Sequence, residues 1–482
     1  MGAWRGTGAA AAGLSGWLLM GLVGVACREA GAPRGTAPPV KNVLLVSLDT
    51  LRADRVGARR DGVPLTPRLD AFAARAARFT NCRSVSGHTL ASHKSILSGR
   101  LPPSYLDAFS SGRDEQARLL DPGAYYRAAF RRWPFPSVAS RLREAGVATA
   151  AFTDGIYMEP RYGLGEGFEP YASRKLGLAG QAARAREWLE EVGSRPFFLF
   201  VHTYDAHCPY DPPPRFLRLF GHECAGRLRF AGTCGKSYFN RLELTSDEVE
   251  HVALHYDAGV RRVDEELGGL LDWLDSTGRL SDTAVIVTSD HGESLGERAF
   301  VGHGELYDNQ LHVPLVVFRP HQAPVVRDAP VSGVDVAATV LDLLLARVPE
   351  GLDGESLLPL LQGAGDVSAF AERVRVAAVT VNEGGLGRTR LRKIALLAPL
   401  GLKLIADPDA GTAEWYDLAT DPGESRPLPD RPSRDQTSLR EVASRRGAGP
   451  LRGLGEGGED LHEEGLPREA VESLRALGYV ED

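Results

Sequence analysis

The sequence predicts an α/β protein built on a doubly wound, largely parallel sheet, with a smaller α+β subdomain towards the C-terminus. Three observations predict it. Short apolar runs recur at Val43–Leu48, Val147–Phe152, Phe197–Val201, Ala284–Thr288 and Val313–Phe318, and strands apolar on both sides suit a parallel sheet covered by helices on both faces. Amphipathic stretches alternate with these runs, which is the order of a wound sheet. After about Pro349 the alternation weakens into shorter β-like runs.

The elements follow in order. Thr66 caps a stretch with Pro67 in its first turn, and Leu69, Phe72, Ala73 and Ala76 share one helical face; proline is tolerated in a first turn because its missing N–H has no intrahelical partner there. Near Tyr256 to Leu274 a second pattern sets Val260, Val263, Leu267, Leu270, Leu271 and Leu274 on one side. The runs Val374–Val381, Lys393–Ala398 and Leu402–Ile405 predict a small antiparallel unit. The organisation expected is a signal over 1–27, a linker over 28–40, a main catalytic domain over 41–348 and a C-terminal subdomain over 349–425. A flexible segment, 426–482, follows and ends in a short helix over Glu469–Val480.

Fifty-six basic against 63 acidic residues give a net charge of −7, which leaves no electrostatic basis for holding nucleic acid. Five cysteines without a CxxC pair exclude a disulfide scaffold and a structural zinc ribbon. Arg5 followed by an uncharged run from Ala9 to Ala26, with Leu18, Leu19, Met20, Leu22 and Val23, has the layout of a secretory signal. The run ends Gly24-Val25-Ala26-Cys27, similar to a lipoprotein processing site. A lipid-anchored Cys27, a plainly cleaved signal and a retained anchor stay open, and all three export the chain to the periplasm or cell envelope, with membrane contact only through that anchor. Export puts Cys224 and Cys234 in an oxidising compartment, where they either pair or remain thiols.

Three apolar runs end in groups that bind metals or anions: the first in Asp49, the third in His202 with Asp205 and His207 behind it, the fourth in Asp290-His291. In a parallel sheet such ends converge on one edge, where ligands bind. Between them lies Gly87-His88-Thr89-Leu90-Ala91-Ser92-His93-Lys94, followed by Ser95-Ile96-Leu97-Ser98-Gly99. This stretch resembles the signature of the sulfatase branch of the alkaline phosphatase superfamily, Cys-x-Pro-Ser-Arg with Thr-Gly four residues later. Thr89 to His93 aligns with it without gaps, and Ser98-Gly99 falls where Thr-Gly is expected. Asn42–Asp49, the segment His202–Pro212, Asp290-His291-Gly292-Glu293, Gly302-His303-Gly304 and Val313-Pro314-Leu315 follow the family's order. So do Leu352–Pro359, Trp415–Leu418, Asp421–Glu424 and Leu477–Val480, so the resemblance spans roughly residues 41 to 425 and the extreme C-terminus.

The resemblance implies an alkaline phosphatase-like fold and one divalent cation held by Asp49, Asp290 and His291, with Thr89 completing the sphere. Carboxylate oxygens with one imidazole suit Mn²⁺, Zn²⁺, Mg²⁺ or Ca²⁺. It also implies that His207 protonates the leaving oxygen, and that His303, with His93 and Lys94, binds the ester's other oxygens. The substrate expected is a small-molecule or glycan ester. His202 and Asp205 have either a hydrogen-bonding or a catalytic role, and Pro103–Pro134 is either a substrate mouth or a solvated loop.

The departures from the family bear on the chemistry. Sulfatases convert a Cys or Ser to formylglycine where this chain has Thr89, and threonine cannot follow that route. A sulfated Thr89 would have no aldehyde through which to expel sulfate, whereas a phosphorylated one is open to attack by water, so phosphoryl-type esters are favoured. Ala91 and His93 replace Pro and Arg, and Thr50 stands where many sulfatases carry a further metal Asp. Two other readings remain: a sulfuric ester hydrolase in which cation-activated water attacks, and a weakly catalytic protein that binds a sulfated or phosphorylated glycan.

Overall fold

The computed structural model describes residues 40–102, 135–221, 245–362, 368–371, 373–383, 388–399, 401–407 and 412–429. Cys27, Cys224 and Cys234, the 103–134 stretch and Glu469–Val480 lie outside the described residues. The principal elements are β1 (Asn42–Leu48), α1 (Pro67–Ala73), β2 (Ala77–Phe79), α2 (Thr89–Ser98), α3 (Val138–Glu144), β3 (Ala148–Thr153), β4 (Tyr171–Ser173), α4 (Gly177–Val192) and β5 (Phe197–Thr203). They continue through α5 (Ser246–Ser276), β6 (Thr283–Thr288), β7 (Leu315–Phe318), β8 (Val325–Arg327) and α6 (Asp335–Leu345). A second set follows: β9 (Arg375–Glu383), β10 (Arg388–Leu397), β11 (Leu402–Asp407) and β12 (Thr412–Asp417).

The first eight strands form one sheet in the order β8-β2-β7-β6-β1-β5-β3-β4. β1 lies parallel to both β5 and β6, and β3 parallel to β5 and β4. Side chains alternate between faces. Leu44, Val46 and Leu48 pack with α1, α4 and α5, whereas Val43 and Leu45 pack with α2, α3 and α6. Apolar residues at every position of β1 therefore satisfy two layers of helices, and this two-sided burial is what the continuous runs encode.

The run Val313–Phe318 departs from the expectation of a parallel strand. β7 is antiparallel to both neighbours, β6 and β2. The chain leaving β6 spends residues 289–314 on loops at the same sheet edge and re-enters from that edge, so no crossover carries it back to the other end. The helix expected near Tyr256 also begins earlier, at Ser246. Thr245 and Glu248 make a reciprocal capping box that starts it before its apolar face appears. Thr66 donates to Asp70 instead of capping α1; the α1 amides of Arg68 and Leu69 donate to Asp264 of α5.

The second set is a four-stranded antiparallel sheet, β9-β10-β11-β12. One face packs Ile394, Leu404 and Trp415 against Val85, Leu101 and Val334. The other packs Ala395, Ile405 and Tyr416 against Leu306 and Leu311. Polar links reinforce the second contact: Lys393 Nζ donates to Glu305 at 2.6 Å, and Tyr307 donates to Glu414 at 2.9 Å. Lys403 lies 3.3 Å from Asp308 and 2.7 Å from Glu424. On the first side, the amide of Ala378 on β9 donates to the Val85 carbonyl at 2.8 Å. Among the described residues no helix is long and apolar enough to cross a membrane.

Phe198 is fully buried near the start of β5. Truncating it removes the side chain's transfer energy and leaves a cavity under α3 and α6, so Phe198→Ala should lose about 3–5 kcal/mol, read as a lower urea midpoint at unchanged m-value.

Candidate active site

β1, β5 and β6 pair in register, with Ser47 opposite both His202 and Thr288. That register brings Asp49, His202, Asp290 and His291 to one edge. Ligand atoms of Asp49, Asp290 and His291 lie within 4.8 Å of one another, and all three residues are at most 1% exposed. Burial, and then the charge of Asp290, push the Asp49 carboxyl well above its usual range. Burial would raise Asp290 as well, but His291, His93 and His202 outweigh it and hold that carboxyl low. Asp49 Oδ1 and Asp290 Oδ2 are buried without a hydrogen-bond partner.

Unpaired buried oxygens are costly, and two on facing carboxylates beside an imidazole fit a divalent cation. Thr50 sends its hydroxyl back to the Asp49 carbonyl at 2.7 Å, while its amide approaches Asp290 Oδ1 at 3.4 Å. It holds positive φ, 59°, with its carbonyl accepting from Tyr256 at 2.7 Å. Thr50 therefore supports the site through its backbone.

Thr89 is the first residue of α2 and is fully buried, with His88 in extended conformation as the N-cap. Gly87 sits close enough to the Glu305 carbonyl that a Cβ would lie 2.3 Å from it. The Thr89 hydroxyl is 3.3 Å from His291 Nε2 and accepts from the Tyr204 hydroxyl at 3.3 Å. His291 Nδ1 donates to the Gly292 carbonyl at 2.9 Å, so in the neutral ring Nε2 carries the lone pair that faces Thr89. Beneath this contact Ser84 bonds the Ser86 carbonyl, Ser92 and the Asp290 carbonyl, tying the start of α2 to the end of β6.

The structure places His93 under the helix. Its Nδ1 donates to the Thr89 carbonyl at 2.9 Å and its Nε2 meets Ser47 Oγ at 3.0 Å. With both nitrogens engaged inside the protein, His93 braces Thr89 from beneath. Lys94 is buried on the next position of α2, and at about 100° per residue the helix turns it away from the Thr89 face. Burial brings its ammonium down to about 7.

His207 and His303 stand beside His291 in a row, at ring separations of 4.4 Å (His291–His303) and 4.9 Å (His303–His207). His207 Nδ1 donates to the Cys208 carbonyl at 2.6 Å, and its ring stacks on Tyr204 at 4.5 Å. His303 Nδ1 meets Glu293 at 2.9 Å. Burial, then the neighbouring imidazoles, lower His207 to about 3. His88 joins the group, lowered to about 3 by burial and by the same neighbours, with its ring edge-on to Tyr157 at 4.7 Å.

His88, Tyr204 and Glu293 were not picked out as site residues by sequence. Their only signals are adjacency to Thr89, to His202 and to Asp290-His291. Asp205 turns away, to the Leu178 amide at 2.6 Å and to Arg262 at 3.0 Å. Cys82 is a buried free thiol, and Cys208 is disulfide-bonded.

The lowered histidines set a sign for acid sensitivity. Between their unfolded value near 6.5 and about 3, the unfolded chain binds protons that the folded chain refuses. Their contribution is complete above pH 6.5 and is lost as pH falls towards 3. The urea midpoint should drop steeply across that window, and less steeply in His207→Gln.

A family model described as Sulfatase matches residues 41–177 and 180–346. A choline-sulfatase of Rhizobium meliloti is 25% identical over 387 residues, covering 67% of this chain and 72% of the relative. An N-acetylglucosamine-6-O-sulfatase of Bacteroides thetaiotaomicron is 22% identical over 429 residues, covering 73% and 76%. In fold, the chain matches a phosphonate monoester hydrolase of Agrobacterium radiobacter with a TM-score of 0.65 and 20% identity, over 85% of this chain and 94% of that one. With its mostly parallel sheet, its separate antiparallel sheet and a family match over more than half its length, the chain belongs to the sulfatase family of the alkaline phosphatase superfamily.

Proposed function

We propose that this protein is an exported, divalent-cation-dependent hydrolase of phosphoryl-type esters in which Thr89 is the nucleophile. The observation that carries the reading is the position of the Thr89 hydroxyl, between Tyr204 and His291 at the N-terminus of α2 and beside two buried carboxylates. Asp49, Asp290 and His291 would hold the cation, with Thr89 beside it. When bound, a divalent cation neutralises the carboxylate pair, lowers the pKa of a nearby hydroxyl and offsets charge on the transferred group.

The chain's own groups supply the rest. Tyr204 directs the Thr89 oxygen and donates to it as it gains charge. The N-terminus of α2 offers its unpaired amides and the positive end of its dipole to the non-bridging oxygens. Thr89 Oγ, its proton passed to water, attacks phosphorus, forming a Thr–O–P bond and breaking the bond to the leaving alkoxide. His207 is proposed to deliver a proton to that alkoxide from Nε2. The bound anionic ester opposes the burial that keeps this imidazole neutral, so the proton arrives with the substrate. Water then cleaves the phosphothreonine and releases phosphate. His303, held by Glu293, is proposed to face the same oxygens.

Export rests on the 1–27 segment, and the mass of the mature chain tests it. The chemistry is tested with the cation-supplemented chain on matched aryl phosphate monoester, diester and sulfate probes. Phosphoester turnover should fall by at least about 10³-fold in Thr89→Ala, and a phosphorylated Thr89 should be trapped by rapid acid quench and mass spectrometry. Sulfate turnover that survives Thr89→Ala would overturn the threonine nucleophile in favour of attacking water. Silence on every probe with cation bound would favour a binding protein.

A further inference from the structure

His202 ends β5 fully buried, and its two ring nitrogens have different partners. The Asp154 amide donates to Nδ1 at 3.4 Å. A backbone N–H can only donate, so Nδ1 holds the lone pair and the ring proton sits on Nε2. Nε2 lies 3.1 Å from Asp49 Oδ2 and therefore donates to it. Asp154 is fixed in turn: its carboxylate accepts from the Gly155 amide at 2.9 Å and from the Gly177 amide, at the start of α4, at 3.1 Å. The His202 ring is wedged edge-on against His93 at 4.7 Å and packs on Tyr204 at 5.3 Å.

We infer that His202 is a positioning residue for the cation site: its Nε2–H holds Asp49 Oδ2 and thereby turns the unpaired Oδ1 towards Asp290 and His291. The inference rests on the cation reading above. Three links run from the α4 terminus through Asp154 and His202 to Asp49, and each is a hydrogen bond whose direction is fixed by chemistry. Without the His202 donor, Asp49 can rotate and present either oxygen. Its ionised form also loses the one imidazole N–H bonded to it, so the carboxylate must be reorganised each time a cation binds. Outer partners of this kind typically change metal affinity by about 10- to 100-fold.

Metal-stripped full-length protein titrated with Mn²⁺ alone, by calorimetry, tests the inference without reference to turnover. Wild type should bind one Mn²⁺, His202→Ala about 10- to 100-fold more weakly, and His202→Gln, whose amide can still donate, nearer to wild type. His202→Met fills similar volume without a donor and serves if the alanine variant does not fold, as judged by circular dichroism. Mn²⁺ affinity in His202→Ala or His202→Met equal to wild type would overturn the inference. So would a glutamine variant as weak as the methionine one, because loss of packing alone would then account for the effect. Absence of Mn²⁺ binding by wild type would instead sink the cation reading itself.

Discussion

Two carboxylates facing each other in a dry interior set the terms for everything around them. Asp49 and Asp290 follow adjacent parallel strands, so the register of the sheet, more than any loop, puts like charges side by side. Water cannot screen them, and mutual repulsion added to burial makes the doubly ionised state expensive. The surroundings answer with donors and partial positive charge: the Thr50 amide, the His202 N–H, and the imidazoles of His93 and His291. What remains without a hydrogen bond is one oxygen on each carboxylate, Asp49 Oδ1 and Asp290 Oδ2, the latter approached by His93 and His291 at 3.5 and 3.3 Å.

The rest of the pocket relies on histidine. His93 stands where the family's signature has arginine, and His303 and His207 form a wall with His291. A guanidinium carries a permanent charge, whereas burial lowers the imidazoles of His93, His207 and His303 below their ordinary value. Backbone dipoles at the start of α2 add positive potential beside Thr89. A site lined with imidazoles ties its charge to pH more tightly than fixed cations would.

Much of this was legible in the sequence because burial on both faces leaves an unmistakable apolar run, and a polar residue at its end marks the sheet edge. Asp49, His202 and Asp290-His291 are marked that way, and Thr89 by the resemblance of its segment to the sulfatase signature. The antiparallel direction of β7 was not legible, since an apolar run has no polarity and the loops before it decide how the chain returns. The brace made by His93 was hidden for a related reason. Residue type identifies an imidazole, but only the turn of α2 over β1 shows that both its nitrogens are already engaged. His88 and Tyr204 lacked any periodic or spacing signal, because they reach the site from loops and strand ends whose paths are set by tertiary packing.

The antiparallel sheet at the end of the chain has a consequence for the order of biosynthesis. Glu305, Tyr307 and Asp308 flank His303 closely and are gripped by Lys393, Glu414, Lys403 and Glu424, while β9 supports Val85 just ahead of Thr89. A chain made from its N-terminus presents Thr89, both carboxylates and the site histidines before β9–β12 emerge. The large sheet can assemble at that stage, but the His303 loop and the approach to Thr89 still lack their outer wall. The outer wall of the site is thereby deferred until β9–β12 have emerged, after the sheet that joins Asp49, Asp290 and His291.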